Sequence, residues 1–361
     1  MFDTTRINAS RAIGTGLCFA LLICAPAVWA HDRDGDDLRA TPVGCGDNLS
    51  EPGLYELEAD LVCNASIRIT SSHVQFDLKG HGITCSDPEV WQFPPEAAAT
   101  PAEDLNIWIK GISVNFVDVD VPQETIRGVV IRNGTISGCA EGILLSNVEK
   151  STIANMQLTD NGLSTDCCWP RGLEMVESNR NLVTRNRMNG NGQGMALFSS
   201  EGNWISHNET SGNVSDGMVL IQSSSNLLRR NTADGNEWGL FVEDSPNNTI
   251  VGNELSGNFA EGLILVGGSD GNAIVGNEVI DSGAFGILLL GIPQFGVPVP
   301  ADNFLWFNTA LGSGAIDLAE GNVLDYFGEE GGPFGVPTEV CTNTWIRNTF
   351  DSELGPEHCI R

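Results

Sequence analysis

The chain has 361 residues, with 47 acidic side chains against 18 Lys and Arg and a formal charge of −29. That much acid excludes nucleic acid and anionic membrane surfaces as natural partners. It also opposes unassisted binding of a polyanion, unless a cation such as Ca²⁺ reverses the local field.

Residues 1–30 read as a secretory signal peptide. Arg6 and Arg11 precede an apolar run from Ala12 to Val28, and Val28-Trp29-Ala30 supplies small residues for cleavage. Ile23 stands before Cys24 where a lipoprotein signal needs a small residue, so no lipid anchor is expected. No later segment offers the ~18 apolar residues of a membrane span, and the expected location is secreted or periplasmic. Residues 31–44 form a polar linker containing His-Asp-Arg-Asp-Gly-Asp-Asp, part of a Ca²⁺ loop without its remaining ligands.

Ten cysteines minus Cys18 and Cys24 of the leader leave an even set, which in an exported chain points to disulfides. Cys45 and Cys63 bracket the first coil, and Cys341 and Cys359 bracket the end, tying down a tail at 351–361. Cys85, Cys139, Cys167 and Cys168 fall near similar points of successive coils. They form either two bridges among themselves or a metal cluster.

An internal repeat dominates the rest. The pattern N-x-x-x-x-N recurs at Asn181/Asn186, Asn203/Asn208, Asn226/Asn231, Asn248/Asn253, Asn272/Asn277, Asn303/Asn308 and Asn343/Asn348. In phase with it stand Gly172, Gly194, Gly217, Gly239, Gly262 and Gly286, and a third position is marked by Asn191, Asn213, Asn236 and Asn258. Each repeat is too short and too rich in Gly and Asn for a helix pair, and segments such as Gly-Leu-Ile-Leu-Val at 262–266 have β composition. Three short strands per turn of ~22 residues describe an all-β, single-stranded right-handed parallel β-helix of about ten coils. It is expected over 45–350, interrupted by insertions at 86–106, 161–171, 291–302 and 319–342. Equivalent Asn residues then stack as amide ladders.

With its Asn repeat and the segments VQFDLKGHGITC (74–85) and GVVIRNGTISGCAEGILLSN (128–147), the chain resembles the right-handed β-helix repeat family. That family includes NosD-type periplasmic proteins, pectate-lyase-like enzymes and alginate epimerases. The resemblance implies binding of, or lyase- or epimerase-type action on, an extracellular polysaccharide. The alternative is a non-catalytic interaction platform. The copper that a NosD resemblance implies needs imidazole or soft ligands, yet His31, His73, His81, His207 and His358 are scattered, and Met175, Met195 and Met218 fall on inward phases. Gly80-His81-Gly82 matches a hydrolase tripeptide but lacks its partner motifs and reads as a turn.

Arg185, His207 and Arg230 share one register in three consecutive coils, with Arg187 and Glu209 on the next outward position. An Arg of this row would neutralise a uronate carboxylate while His207 or Glu209 exchanges a proton at the adjacent carbon. The competing expectation is a surface ion ladder with Glu209 and Glu254. A second candidate is the insertion at 161–171, where Asp166, Trp169 and Arg171 stand beside Glu174 and Glu177; Trp169 either stacks on a sugar or caps the cysteines. Finally, the outward positions after each repeated Gly are mostly apolar, making a stripe through Phe198, Ile221, Phe241, Ile264 and Leu288. Such a stripe must be covered, by a lid from the last two insertions or else by a homo-oligomer contact or an apolar ligand.

Overall fold

A computed structural model describes residues 39–86, 110–115, 124–162, 171–292, 296–322, 336–337, 342–355 and 360. The leader, the Ca²⁺-loop fragment, His31, His358, Trp169 and cysteines 167, 168, 341 and 359 lie outside the described residues.

Strands alternate between two long parallel sheets. The first runs through Thr41–Pro42, Gly53–Glu56, Val74–Asp77, Val130–Ser137, Thr152–Thr159, Leu182–Thr184, Trp204–Ser206, Leu227–Arg229, Thr249–Val251, Ala273–Val275, Phe304–Trp306 and Thr344–Ile346. The second runs through Asn48–Leu49, Ile67–Ile69, Lys110–Val114, Glu141–Ser146, Arg171–Val176, Gln193–Phe198, Asp216–Ile221, Trp238–Glu243, Leu263–Val266, Phe285–Gly291 and Ile316–Asn322. A narrow third face carries single parallel bridges, Arg187 to Glu209 to Thr232 to Glu254 to Glu278. This is a parallel β-helix, and crossovers of this kind wind right-handed. No helix among the described residues is long and apolar enough to cross a membrane.

The core follows from the period of two along each strand. Val183, Ile205, Leu228, Ile250, Ile274 and Leu305 stack inside the first sheet and are fully buried. Met175, Met195 and Met218 stack inside the second, so they are packing residues.

Inside the turns the amides close on one another. The Asn186 backbone N–H donates to Asn208 Oδ1 at 3.0 Å, and Asn186 Nδ2 donates to the same oxygen and to the Ile153 carbonyl. Asn208 repeats this toward Asn231 and Val183, and Asn231 toward Asn253 and Ile205. A serine column that the repeat pattern left unread runs beside them: the N–H groups of Ser178, Ser200, Ser223 and Ser245 each donate to the next serine's hydroxyl. The in-phase glycines mark where coils approach most closely. A Cβ on Gly217 would stand 2.8 Å from the Gly239 carbonyl oxygen and 2.7 Å from Asn236 Nδ2.

The stack is longer than the Asn repeat suggests. Thr41–Pro42 already pairs with Tyr55–Glu56, within the expected linker, and Glu353–Leu354 pairs with Leu318–Ala319 beyond the expected end at 350. The first sheet's main path counts twelve rungs rather than about ten. The opening coils satisfy their turns without the Asn pair, which is why the repeat undercounts them. The expected insertions also contain ordered pairing: Ile292 bridges Val297, and Val336–Pro337 pairs antiparallel with Gly321–Asn322. Cys45 bonds Cys63 and Cys85 bonds Cys139, which removes the four-cysteine metal cluster.

Asn248→Leu strips the Asn226 N–H and the Ser223 and Ser245 carbonyls of their partner inside the stack. It is expected to lower unfolding free energy by about 2–4 kcal/mol, read from a denaturant titration. An unchanged midpoint contradicts the load placed on these amides.

Candidate functional site

Arg185, His207 and Arg230 do share a register, and the backbone explains it. All three occupy the left-handed corner between the first sheet and the narrow face, with φ of 56°, 56° and 53°. They are exposed, and none forms an ion pair with a described residue. Arg187 is different: its Nη2 lies 2.9 Å from Glu209 Oε1, which also accepts from Asn189 Nδ2 at 2.6 Å. Partial burial opposes ionisation of Glu209, but these two hydrogen bonds and the Arg187 charge outweigh it and hold the carboxyl below its ordinary value. Glu209 is therefore a fixed anion rather than a base tuned to neutral pH. The expected ion ladder reduces to this one pair, since Arg185 and Arg230 reach neither Glu209 nor Glu254. Elsewhere, the Gly82 N–H donates to Asp60 Oδ1 at 2.8 Å and His81 Nδ1 lies 3.3 Å from the same oxygen, so Gly80-His81-Gly82 is a tethered turn.

A second polar row stands on the outward face of the second sheet. It is made by the residue immediately before each repeated glycine: Lys110, Glu141, Arg171, Gln193, Asp216, Trp238 and Glu261. The ladder aligns Lys110 with Glu141, Arg171 with Gln193, and Asp216 with Trp238. Sheet spacing sets successive members about 4.8 Å apart. Lys110 Nζ lies 3.8 Å from Glu141 Oε2, an oxygen that accepts no hydrogen bond among the described residues. Arg171 pairs with Glu174 at 3.2 Å, donates from Nε to Gln193 Oε1 at 2.9 Å, and lies 4.8 Å over the Phe198 ring. Gln193 Nε2 and Ser215 Oγ donate to Asp216 Oδ2, and Trp238 Nε1 donates to Glu261.

Burial drives the electrostatics of this row. It pushes the Glu141 carboxyl well up, reinforced by the Glu174 charge and only partly offset by Lys110 and Arg171. Burial also raises Asp216 to about 6, against the hydrogen bonds from Gln193 and Ser215. Glu261 is raised by burial too, despite the Trp238 hydrogen bond. Arg171 was legible in the sequence as a candidate. Lys110, Glu141, Gln193 and Asp216 were missed, although their shared place before the in-phase glycines was there to be read.

The apolar stripe lies beside this row. Ile264 and Leu288 are buried in a cluster with Val266, Phe285, Leu290 and Ala319, onto which Ile292, Val297 and Leu354 pack. Phe198, Ile221 and Phe241 are half-buried. An oligomer contact along the whole stripe is thus corrected, because its C-terminal part is covered within the chain. Leu324, Tyr326, Phe327 and Phe334 of the expected lid lie outside the described residues.

Asp216 holds its proton more tightly folded than at its ordinary value of 3.8. Its contribution is therefore fully present below about pH 4 and is lost as pH rises through about 6, a change worth roughly 3 kcal/mol. Asp216→Asn removes that dependence. The stability difference between variant and parent should move in favour of the variant between pH 4 and pH 8, read from denaturant midpoints at both. A pH-independent difference contradicts the burial of this carboxyl.

Known proteins place this architecture. The structure is similar to a double mutant of the periplasmic alginate epimerase AlgG, at TM-score 0.57 and 13% identity, covering 86% of this chain and 77% of that one. A single mutant of the same epimerase gives TM-score 0.58 with the same identity and coverage. The Azotobacter vinelandii mannuronan C-5 epimerase AlgE4 A-module gives 0.49 at 14% identity, covering 89% of this chain and 86% of that one. At such identity the similarity establishes the fold alone. No curated protein matches significantly. The family model that matches residues 104–284 is described as "Periplasmic copper-binding protein (NosD)". Copper does not fit the described residues. No group of three or more His, Cys, Asp or Glu among them is placed to hold a metal ion. The described histidines stand apart, and Met175, Met195 and Met218 are sealed in the core. With half of its length matched by that model, the chain belongs to the NosD family.

Proposed function

We propose that this chain is a periplasmic protein that binds an acidic polysaccharide and acts on it by proton transfer at the row before the repeated glycines. The observation that carries the reading is the alignment of Arg171 with two carboxyls, Glu141 and Asp216, whose burial brings their titration toward neutral pH. Groups displaced in this way are what acid–base catalysis requires. The family's periplasmic description and the leader at 1–30 support the location. The alginate epimerases with the same fold support the substrate class.

In this reading the cations Lys110 and Arg171 face the sugar carboxylate and offset the repulsion of an acidic protein. Ionised Asp216 removes the proton from the carbon beside that carboxylate. A proton then returns from water, either to the opposite face of the same carbon, inverting it, or to the departing glycosidic oxygen, which leaves an unsaturated product. Neutral Glu141, three rungs or about 14 Å from Asp216, keeps a second negative charge away from Lys110 and Arg171. The exposed row Arg185, His207 and Arg230 would guide the chain electrostatically without taking part in the step.

Incubation with a panel of polyuronates, with and without Ca²⁺, tests this. Unsaturated products are followed by ultraviolet absorbance and inversion by NMR. Asp216→Asn should reduce turnover by roughly a hundredfold or more and Glu141→Gln, which stays neutral, should keep it, while Arg185→Ala with Arg230→Ala should weaken binding and spare the step. The rate should rise with pH as Asp216 ionises near 6 and fall as Glu141 loses its proton. Full turnover in Asp216→Asn contradicts the assignment; binding without any turnover reduces the protein to a binding module.

A further inference from the structure

The outward face of the first sheet changes character along the stack. Four consecutive rungs are aligned by their hydrogen bonds: Leu227–Thr249–Ala273–Phe304 in one row and Arg229–Val251–Val275–Trp306 in the next. The corner beside them continues as Arg230, Gly252, Gly276 and Phe307, joined coil to coil by backbone hydrogen bonds. Two middle coils therefore present only small outward side chains, while large ones stand on either side. A Cβ added at Gly276 would meet nothing within 4 Å, and at Gly252 only the Arg230 Cγ at 4.0 Å, so the floor is open.

One wall of this trough is aromatic. Trp306 lies 4.8 Å from Phe307 and 6.1 Å from Phe304, ring centre to ring centre, and Arg347 lies 5.5 Å over Phe307. All three rings are more than a third exposed, and Phe307 is 48% exposed. The Thr344–Ile346 rung follows them in the sheet, so they do not close the end of this sheet. The opposite wall is cationic, formed by Arg229 and Arg230, which pair with no described residue, with exposed His207 and Trp204 one coil further on. On a protein of charge −29, local cations beside uncovered rings need a reason.

We propose that this trough is a second carbohydrate site that holds a uronate-bearing oligosaccharide. The apolar face of one sugar would lie against Trp306, and the carboxylate of a sugar further along the chain would meet Arg229 and Arg230, whose planar donors suit that group. The three steps between these four rungs span about 14 Å, and four residues across the strand and corner span about 13 Å, an area far less than the ~800 Å² per partner of a stable protein interface. The trough thus suits a sugar chain better than a second protein. The inference takes its ligand class from the proposed function but not its site.

The test uses full-length protein carrying Asp216→Asn, so that the ligand is not consumed, and titrates a uronate hexasaccharide and its carboxyl-reduced neutral counterpart by calorimetry. Trp306→Ala should weaken binding of both by about tenfold or more, while Trp306→Phe retains most of it. Arg229→Ala with Arg230→Ala should abolish the preference for the charged sugar. Thr249→Glu, on the exposed floor, should block the charged sugar. Unaltered melting temperatures confirm that the variants fold. Unchanged affinity in Trp306→Ala overturns the proposal, as does a dimer in sedimentation that Trp306→Ala dissociates. If trough binding holds but no polyuronate is turned over, the catalytic reading alone fails. If turnover depends on Asp216 while the trough variants bind normally, this inference alone fails.

Discussion

A buried amide in each turn holds this molecule together. A solenoid of short strands must turn several times per coil, and every turn puts backbone N–H and carbonyl groups where strand pairing cannot reach them. Asparagine closes the account because one side chain both donates and accepts. Asn208 receives the Asn186 N–H and amide, and passes its own amide on to Asn231 and back to Val183. The bond geometry admits one register between coils, so a slip would break the same contacts in every turn of the ladder. The serine column does this work at the corner between the second and first sheets.

Register is what converts a repeat into a surface with chemistry on it. Once coils are locked, whatever residue precedes the repeated glycine falls into line with its counterparts on neighbouring coils. On the second sheet that line collects buried Lys110, Glu141, Gln193 and Asp216 with half-buried Arg171, a setting in which carboxyls resist ionisation. On the first sheet, the same locking leaves a gap of small residues between Arg229 and Trp306. The interior is nearly invariant from coil to coil, whereas the outward positions are free to differ, and function is confined to them.

Much of the fold was legible in the sequence because the interior repeats. The Asn pairs, the in-phase glycines and the inward methionines all specify a period, and the parallel stack follows. The outer coils were less legible because their turns use other chemistry, as with Thr41–Pro42 and Glu353–Leu354. The candidate site was harder still. Arg185, His207 and Arg230 caught attention because like residues recur in phase. The row before the glycines has no recurring residue type, so it is visible only when position is read without regard to identity. Burial, which separates Asp216 from the ion-paired Glu209, depends on what packs over each side chain and has no local signature. The apolar stripe was legible as needing cover, and Ile292 and Val297 supply part of it.

The central claim is that amide-locked register places ionisable side chains in a desolvated line on the second sheet. Carbon-detected NMR of selectively labelled carboxyl groups, followed against pH, tests it most directly. Asp216 should titrate near 6 and Glu141 clearly above it. Both carboxyls titrating at the ordinary values of exposed Asp and Glu would contradict the account.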